Sequence, residues 1–337
     1  LSGILPMLFS KEGDYTELLL PKTLLKGDTV ITKLLEIPEE AFLEDVEVLG
    51  WLYQFYVADR RQEYREAKLV TKNMIPTLTQ VFTPDWIVRY MAENSVGRIW
   101  LESYPNSSLR SEMKYFVEDA KQTEEVQRKI DAIKYCNVNP EDIRIIEPCC
   151  GSGHILVYVF DLLFKMYEEK GYQKRDIPTL ILKKNLTGLE IDKRAAQLAA
   201  FSLVMKARSI NNQFFSEKYY VLPRVYEFYE SHPLDLMGYQ NALRETGVIA
   251  DSDVKELTEL VSSFKNGKTV GSLLKVKPMN FDHMEEVVSK IEREVVLGIF
   301  NQEFISIGLP IIKNMIALGR ALATKYDVMI TNPPYLG

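Results

Sequence analysis

Cysteine is scarce in this sequence: three in 337 residues, Cys136, Cys149 and Cys150, two of them adjacent. That supply cannot build a disulfide framework, and no CxxC pair is present. Histidine is as rare, and the wide separation of His154, His232 and His283 argues against a structural zinc site. A long apolar run is also missing. The most apolar stretch, roughly 295–322, is broken by Asn301, Gln302, Glu303, Pro310, Lys313 and Arg320, which leaves no membrane span. The opening LSGILPMLFSKEGDY lacks the basic start and apolar core of a secretory signal. Positive charge is not in excess, since 41 Lys and Arg face 47 Asp and Glu for a net charge of −6. A surface that attracts nucleic acid everywhere is therefore excluded, though a local basic patch is not.

What remains is an ordinary globular composition, 46% hydrophobic, in a chain long enough for about two domains. The expectation is a soluble, reduced, cytoplasmic protein. Because it starts at Leu1 and stops at Gly337, just past a loop-like NPPYLG, the chain reads as a piece of something longer. The first eighty residues read as helical. Val48, Leu52, Phe55 and Tyr56 recur at helical spacing, followed by a mixed-charge stretch with Arg60, Arg61 and Arg65 that reads as a solvated helix end. Pro76 marks a linker. Thr83-Pro84-Asp85 signals a new helix, with Thr83 as cap, Pro84 at the first turn, and Trp86, Ile87, Tyr90 and Met91 as its apolar stripe. Residues 106–135 read as a polar helical insertion.

The texture then changes. A short β-branched strand at 143–147 ends in PCCGSG, and an almost wholly apolar helix follows, closed by Gly171. A second strand at 186–190 leads into a helix from Lys193 to about Arg208, and further strands are expected at 224–229 and 326–331. Strand, glycine turn, helix, strand, helix is the start of a doubly wound parallel sheet. Residues 231–282 look like an insertion, and helical texture returns from about Met284 to Lys325. The expected division is a helical domain at 1–75, a motif helix with a helical insertion at 76–142, and a partial catalytic domain at 143–337.

Gly151 and Gly153, between strand and helix, expose amide donors at a helix N-terminus. No GK[ST] follows, so this is not a phosphate loop, and the third glycine of a dinucleotide fingerprint is absent. Glu190 follows Gly153 by 37 residues, where the dinucleotide rule expects about 20. A carboxylate at that strand end can accept both hydroxyls of a ribose, with Ile191 packing on an adenine. A ligand with adenosine and a zwitterion but no pyrophosphate fits, and S-adenosylmethionine is such a ligand. A simple tight turn stays open as the alternative.

Asn332-Pro333-Pro334-Tyr335 directly after a strand is harder to explain structurally. Two prolines make a rigid loop with free carbonyls at the sheet edge where ligands bind in open α/β folds. An amide side chain and a proline carbonyl can grip both hydrogens of a planar amino group. Its lone pair is then freed to attack a methyl sulfonium while Tyr335 stacks on the ring. An adenine in a duplex reaches such a site only if flipped out, at a cost of a few kcal/mol.

EPCCGSG resembles the cofactor motif of amino-group DNA methyltransferases, NPPY their catalytic motif, and FTPDWIVRYM their upstream motif. With LGWLYQFYVADRR and NGKTVGSLL added, the set is similar to the PglX-type adenine-specific DNA methyltransferases of BREX phage-defence systems. The resemblance implies a Rossmann-like S-adenosylmethionine-dependent methyltransferase fold, its sheet truncated after the fourth strand, behind an all-helical N-terminal domain. It implies that Phe82, Thr83 and Pro84 touch the methionine moiety and that Glu147, Cys150, Gly151 and Gly153 line the cofactor loop. Glu190 and Ile191 would hold ribose and adenine, and Asn332, Pro333, Pro334 and Tyr335 the target base. Cys149 and Cys150 are then loop residues. The acidic contact to the cofactor's adenine is left unassigned between Glu230 and the vicinity of Ser272. Double-stranded DNA is the implied partner, mainly through a C-terminal region absent here, with other defence-system proteins as candidates and no metal. Two alternatives stay open: a protein glutamine methyltransferase, since NPPY also suits a side-chain amide, and a noncatalytic assembly module of a defence complex.

Overall fold

The computed structural model describes residues 5, 8, 23, 27–38, 48–67, 69, 71, 74–79, 83–231, 236–245, 247–294, 304 and 308–333. Its centre is a sheet of four parallel strands: β1 (Ile145–Glu147), β2 (Leu186–Glu190), β3 (Val225–Glu227) and β4 (Val328–Met329), in the order β3-β2-β1-β4. Among the described helices are α1 (Val48–Tyr56), α2 (Asp85–Glu93), α3 (Val96–Ser103), α4 (His154–Glu169), α5 (Lys193–Ile210), α6 (Asp251–Ser263), α7 (Phe281–Glu294) and α8 (Leu309–Ala323).

Strand periodicity explains the layering, because successive side chains leave a strand on opposite faces. Ile145 enters one core and Ile146 the other, and Leu186 and Leu189 are divided likewise. The first core lies under α2, α3, α4 and α5, and the second under α6, α7 and α8. This three-layer arrangement is the expected methyltransferase-type fold. The chain crosses from β3 to β4 over the sheet, so the order reverses beside β1. Ligands bind at such a switch point in open α/β sheets.

Hydrogen-bonding partners set strand length here. β2 pairs with β1 through residues 186–188 and with β3 through 188–190, and it keeps the full expected span. The strands expected at 143–147, 224–229 and 326–331 are shorter, reduced to 145–147, 225–227 and 328–329 where a partner exists. α4 begins after Gly153 and ends as expected at Gly171, whose φ of +79° lets Tyr172 N–H donate to Tyr167 O at 3.2 Å.

Three local expectations need correction. In 106–135 only a 3₁₀ turn at Ser108–Ser111 and a helix at Glu124–Asp131 form. The buried face of α2 is Val88, Ala92 and Glu93, whereas Trp86 and Tyr90 are exposed. On α1, Phe55 and Tyr56 are 73% and 71% exposed, so that stripe does not face a core. Within 231–282, α6 buries Val254, Leu257, Leu260 and Val261 in the second core. Among the described residues no helix is long and apolar enough to cross a membrane.

Candidate active site

At the C-terminal edge of β1 and β4 lies a cavity of about 410 Å³, within the usual range for small-molecule sites. β1 ends in Glu147, and Pro148 to Ser152 turn across the mouth before α4 starts. The turn is tied down by Cys150 N–H donating to Leu189 O at 2.9 Å. Gly153, with φ +89°, is pressed against α5: a Cβ there would sit 2.9 Å from that of Ala199. Its role is therefore close packing of loop on helix, and it does not line the cavity.

Glu190, at the end of β2, is buried, and its carboxylate holds the loops together. Oε2 accepts from Gly151 N at 2.7 Å, and Oε1 from Ile191 N at 2.9 Å and Asp192 N at 3.0 Å. Burial pushes its pKa up against these donors. Glu147 is buried more completely. Burial, then the charge of Glu190, pushes its pKa well above the usual carboxylate range, opposed by the Leu156 N–H. Its Oε2 is buried with no hydrogen-bond partner among the described residues. A buried, unpaired carboxylate oxygen costs free energy until a donor or cation reaches it. Burial also raises the Cys149 and Cys150 thiols, so both are neutral near pH 7 and poor nucleophiles.

The far side of the cavity closes on the loop after β4. Asn332 Nδ2 donates to Thr83 Oγ1 at 3.1 Å, joining residues 249 apart in sequence. Thr83 is thus not the helix cap that its sequence context suggests. Pro84 caps α2 without a side-chain bond, and the Thr83 hydroxyl meets Asn332 instead. With Nδ2 engaged, Asn332 Oδ1 is directed to act as an acceptor. Thr83, Glu147, Cys150, Gly151, Glu190, Ile191, Asn332 and Pro333 all line the cavity, while Pro84 does not. Phe82, Pro334 and Tyr335 lie outside the described residues.

Sequence reasoning missed one wall and marked another only loosely, through the NGKTVGSLL motif and the vicinity of Ser272. α1 contributes Gly50, Tyr53 and Gln54, and Tyr53 Oη donates to Asp192 Oδ1 at 3.2 Å. Asp192 also caps α5 through Ala195 N at 2.8 Å, and burial followed by the Asp192 charge raises the Tyr53 hydroxyl's pKa. The other wall is Lys268 to Leu273. A buried glycine within α1, and two glycines four apart in an otherwise polar stretch, were the signals available. Among the described residues no group of three or more His, Cys, Asp or Glu is placed to hold a metal.

Comparison with known proteins accords with this geometry. Residues 184–337 match the family described as Eco57I restriction-modification methylase, and residues 121–238 match MmeI, DNA-methyltransferase domain. The chain is 38% identical over 350 residues to the adenine-specific methyltransferase BrxX of Escherichia coli O9:H4 (strain HS), covering 99% of this chain. It is 35% identical over 353 residues to the adenine-specific methyltransferase PglX of Lacticaseibacillus casei (strain Zhang), covering 100% of it. Over its full length this chain is similar to the PglX-type methyltransferases. It spans 28% of the length of each of these two curated relatives. The matched stretch spans the glycine turn, Glu190 and the Asn332 loop, which this chain brings to one cavity.

Proposed function

We propose that the cavity holds S-adenosylmethionine and that the protein transfers its methyl group to the N6 amine of an adenine flipped out of double-stranded DNA, as part of a phage-defence or restriction-modification system. The observation that carries this reading is the Asn332–Thr83 hydrogen bond. It brings the upstream motif and the NPPY loop together over the same cavity that Glu147 and Glu190 enter from the sheet.

The residues fit a cation with a nucleoside end. Glu147 offers an unpaired oxygen to an ammonium, while Glu190 and Ile191 stand where ribose and adenine would sit. The chemistry such a group supplies is an electrophilic methyl on a sulfonium. Asn332 Oδ1, held by Thr83, and the Pro333 carbonyl accept the two hydrogens of the target amine and hold its nitrogen pair toward the methyl. Pro334 and Tyr335 complete the grip on the base. One amine proton leaves to solvent as the N–C bond forms, so no strong protein base is needed. In this reading Phe82 and Pro84 meet the methionine end with Thr83, Cys150 and Gly151 line the cofactor loop, and Gly153 lets that loop close on α5. Residues 1–75, 76–142 and 143–337 act as helical domain, covering segment and catalytic domain of a cytoplasmic enzyme that meets DNA, and other defence-system proteins, mainly through regions outside this chain.

Calorimetric titration with S-adenosylmethionine tests the cofactor assignment. Micromolar-range binding is expected, of order −8 kcal/mol, and lost on Glu190→Ala. A folded full-length protein that binds none refutes it.

A further inference from the structure

Between α6 and α7 the chain doubles back to the exit of β3, and this return forms the remaining wall of the cavity. Gly267 lies so close to the backbone there that a Cβ would sit 1.9 Å from Tyr229 O. Gly267 N and Ser231 N both donate to Phe264 O at 3.0 Å, locking the return to the chain leaving β3. Two side-chain bonds continue the seam. Lys268 Nζ donates to Glu227 Oε1 at 2.7 Å, with the Glu227 side chain only 12% exposed, and Thr269 Oγ1 donates to Glu230 Oε1 at 3.2 Å.

Both carboxylates at the end of β3 therefore engage the returning segment. Neither Glu227 nor Glu230 lines the cavity, whereas Lys268 to Leu273 do. Ser272 Oγ reaches within 3.9 Å of Cys149 Sγ on the β1 loop, and the Gly271 Cβ position is 3.8 Å from Ile191 Cγ2. Leu273 is 81% exposed and Val270 38%, apolar side chains on the cavity wall that a planar ring would cover.

We infer that residues 267–273 form a strap that walls the adenosine end of the cofactor cavity, held in place by Glu227 through Lys268. This rests on the S-adenosylmethionine reading above. Glu227 is a positioning residue, and contact with the base passes to the strap's backbone, to the Ser272 hydroxyl and to Leu273.

The test is affinity of the full-length protein for S-adenosylhomocysteine and for adenosine, with kinetics alongside. Glu227→Gln is expected to raise Kd for both ligands, and KM for S-adenosylmethionine, about tenfold, with kcat within about twofold. The charge swap Glu227→Lys with Lys268→Glu should recover most of that loss, which mere loss of folding would not permit. Leu273→Asp, at an exposed position that cannot upset a core, should weaken both ligands about fivefold or more. Wild-type affinities in Glu227→Gln and Leu273→Asp overturn the strap and leave the cofactor reading standing. A wild-type protein that binds neither ligand overturns the cofactor reading and the strap with it.

Discussion

Glu147 and Glu190 stand side by side at the ends of neighbouring strands, and burial holds both pKa values above that of a free glutamate. A raised carboxyl favours the fold while protonated. That contribution is complete below the unfolded value, about 4.3, and is lost as pH rises through the folded value. Glu147→Gln removes the titrating group, so the ligand-free variant should gain stability over wild type from pH 5 to 8, with the gain vanishing near pH 4. Urea unfolding across that range measures it, and parallel pH profiles would show that Glu147 does not carry this charge. The same substitution should weaken S-adenosylmethionine at least about tenfold, because a neutral amide replaces the ammonium's counter-charge. Thr83 is read through its single bond to Asn332. Thr83→Val should lower kcat about tenfold and Thr83→Ser restore it, since positioning of a reacting group is sensitive to small displacements. A Thr83→Val enzyme with wild-type kcat would separate that bond from the chemistry.

At the scale of elements, the joint between the β1 loop and α5 is the least tolerant. Gly153→Ala meets both a φ of +89° and a 2.9 Å approach to Ala199, and should cost about 2–4 kcal/mol by chemical denaturation. A cost under about 1 kcal/mol would mean that the loop relaxes freely. What sequence could reveal follows the range of the interactions. β2 was readable to the residue because it is buried on both faces and paired on both sides, and α4 because its turn glycines bracket one apolar run. β3 and β4 were read too long, since their ends depend on partners that periodicity does not show. The α1 and α2 stripes misled for a related reason: Phe55, Tyr56, Trp86 and Tyr90 have the spacing of a core face but are exposed, with no described element packed over them. Thr83 looked like a cap because its true partner lies 249 residues away. That the glycine turn, Glu190 and Asn332 meet at one cavity was legible because the loops that hold them are short and local, whereas Gly153 and Pro84 do not line it. The wall from α1 was not legible, and that from 268–273 was marked only by its motif and Ser272, because pairs such as Tyr53–Asp192 and Lys268–Glu227 meet only in the folded chain.

Across the whole molecule, a net charge of −6 and two carboxylates lining one cavity, Glu147 and Glu190, suit a cationic ligand better than a polyanion. The four-stranded sheet supplies that cavity from strand ends on both sides of its switch point. One measurement tests the central claim directly. The full-length protein is incubated with methyl-labelled S-adenosylmethionine and double-stranded DNA, and the DNA is digested and analysed for labelled N6-methyladenine. The account predicts labelled N6-methyladenine from the wild type and a loss of at least about a hundredfold in Asn332→Ala, which removes the acceptor aimed at the amine. Undiminished labelling by Asn332→Ala, or a wild type that binds the cofactor yet labels no adenine, would contradict it.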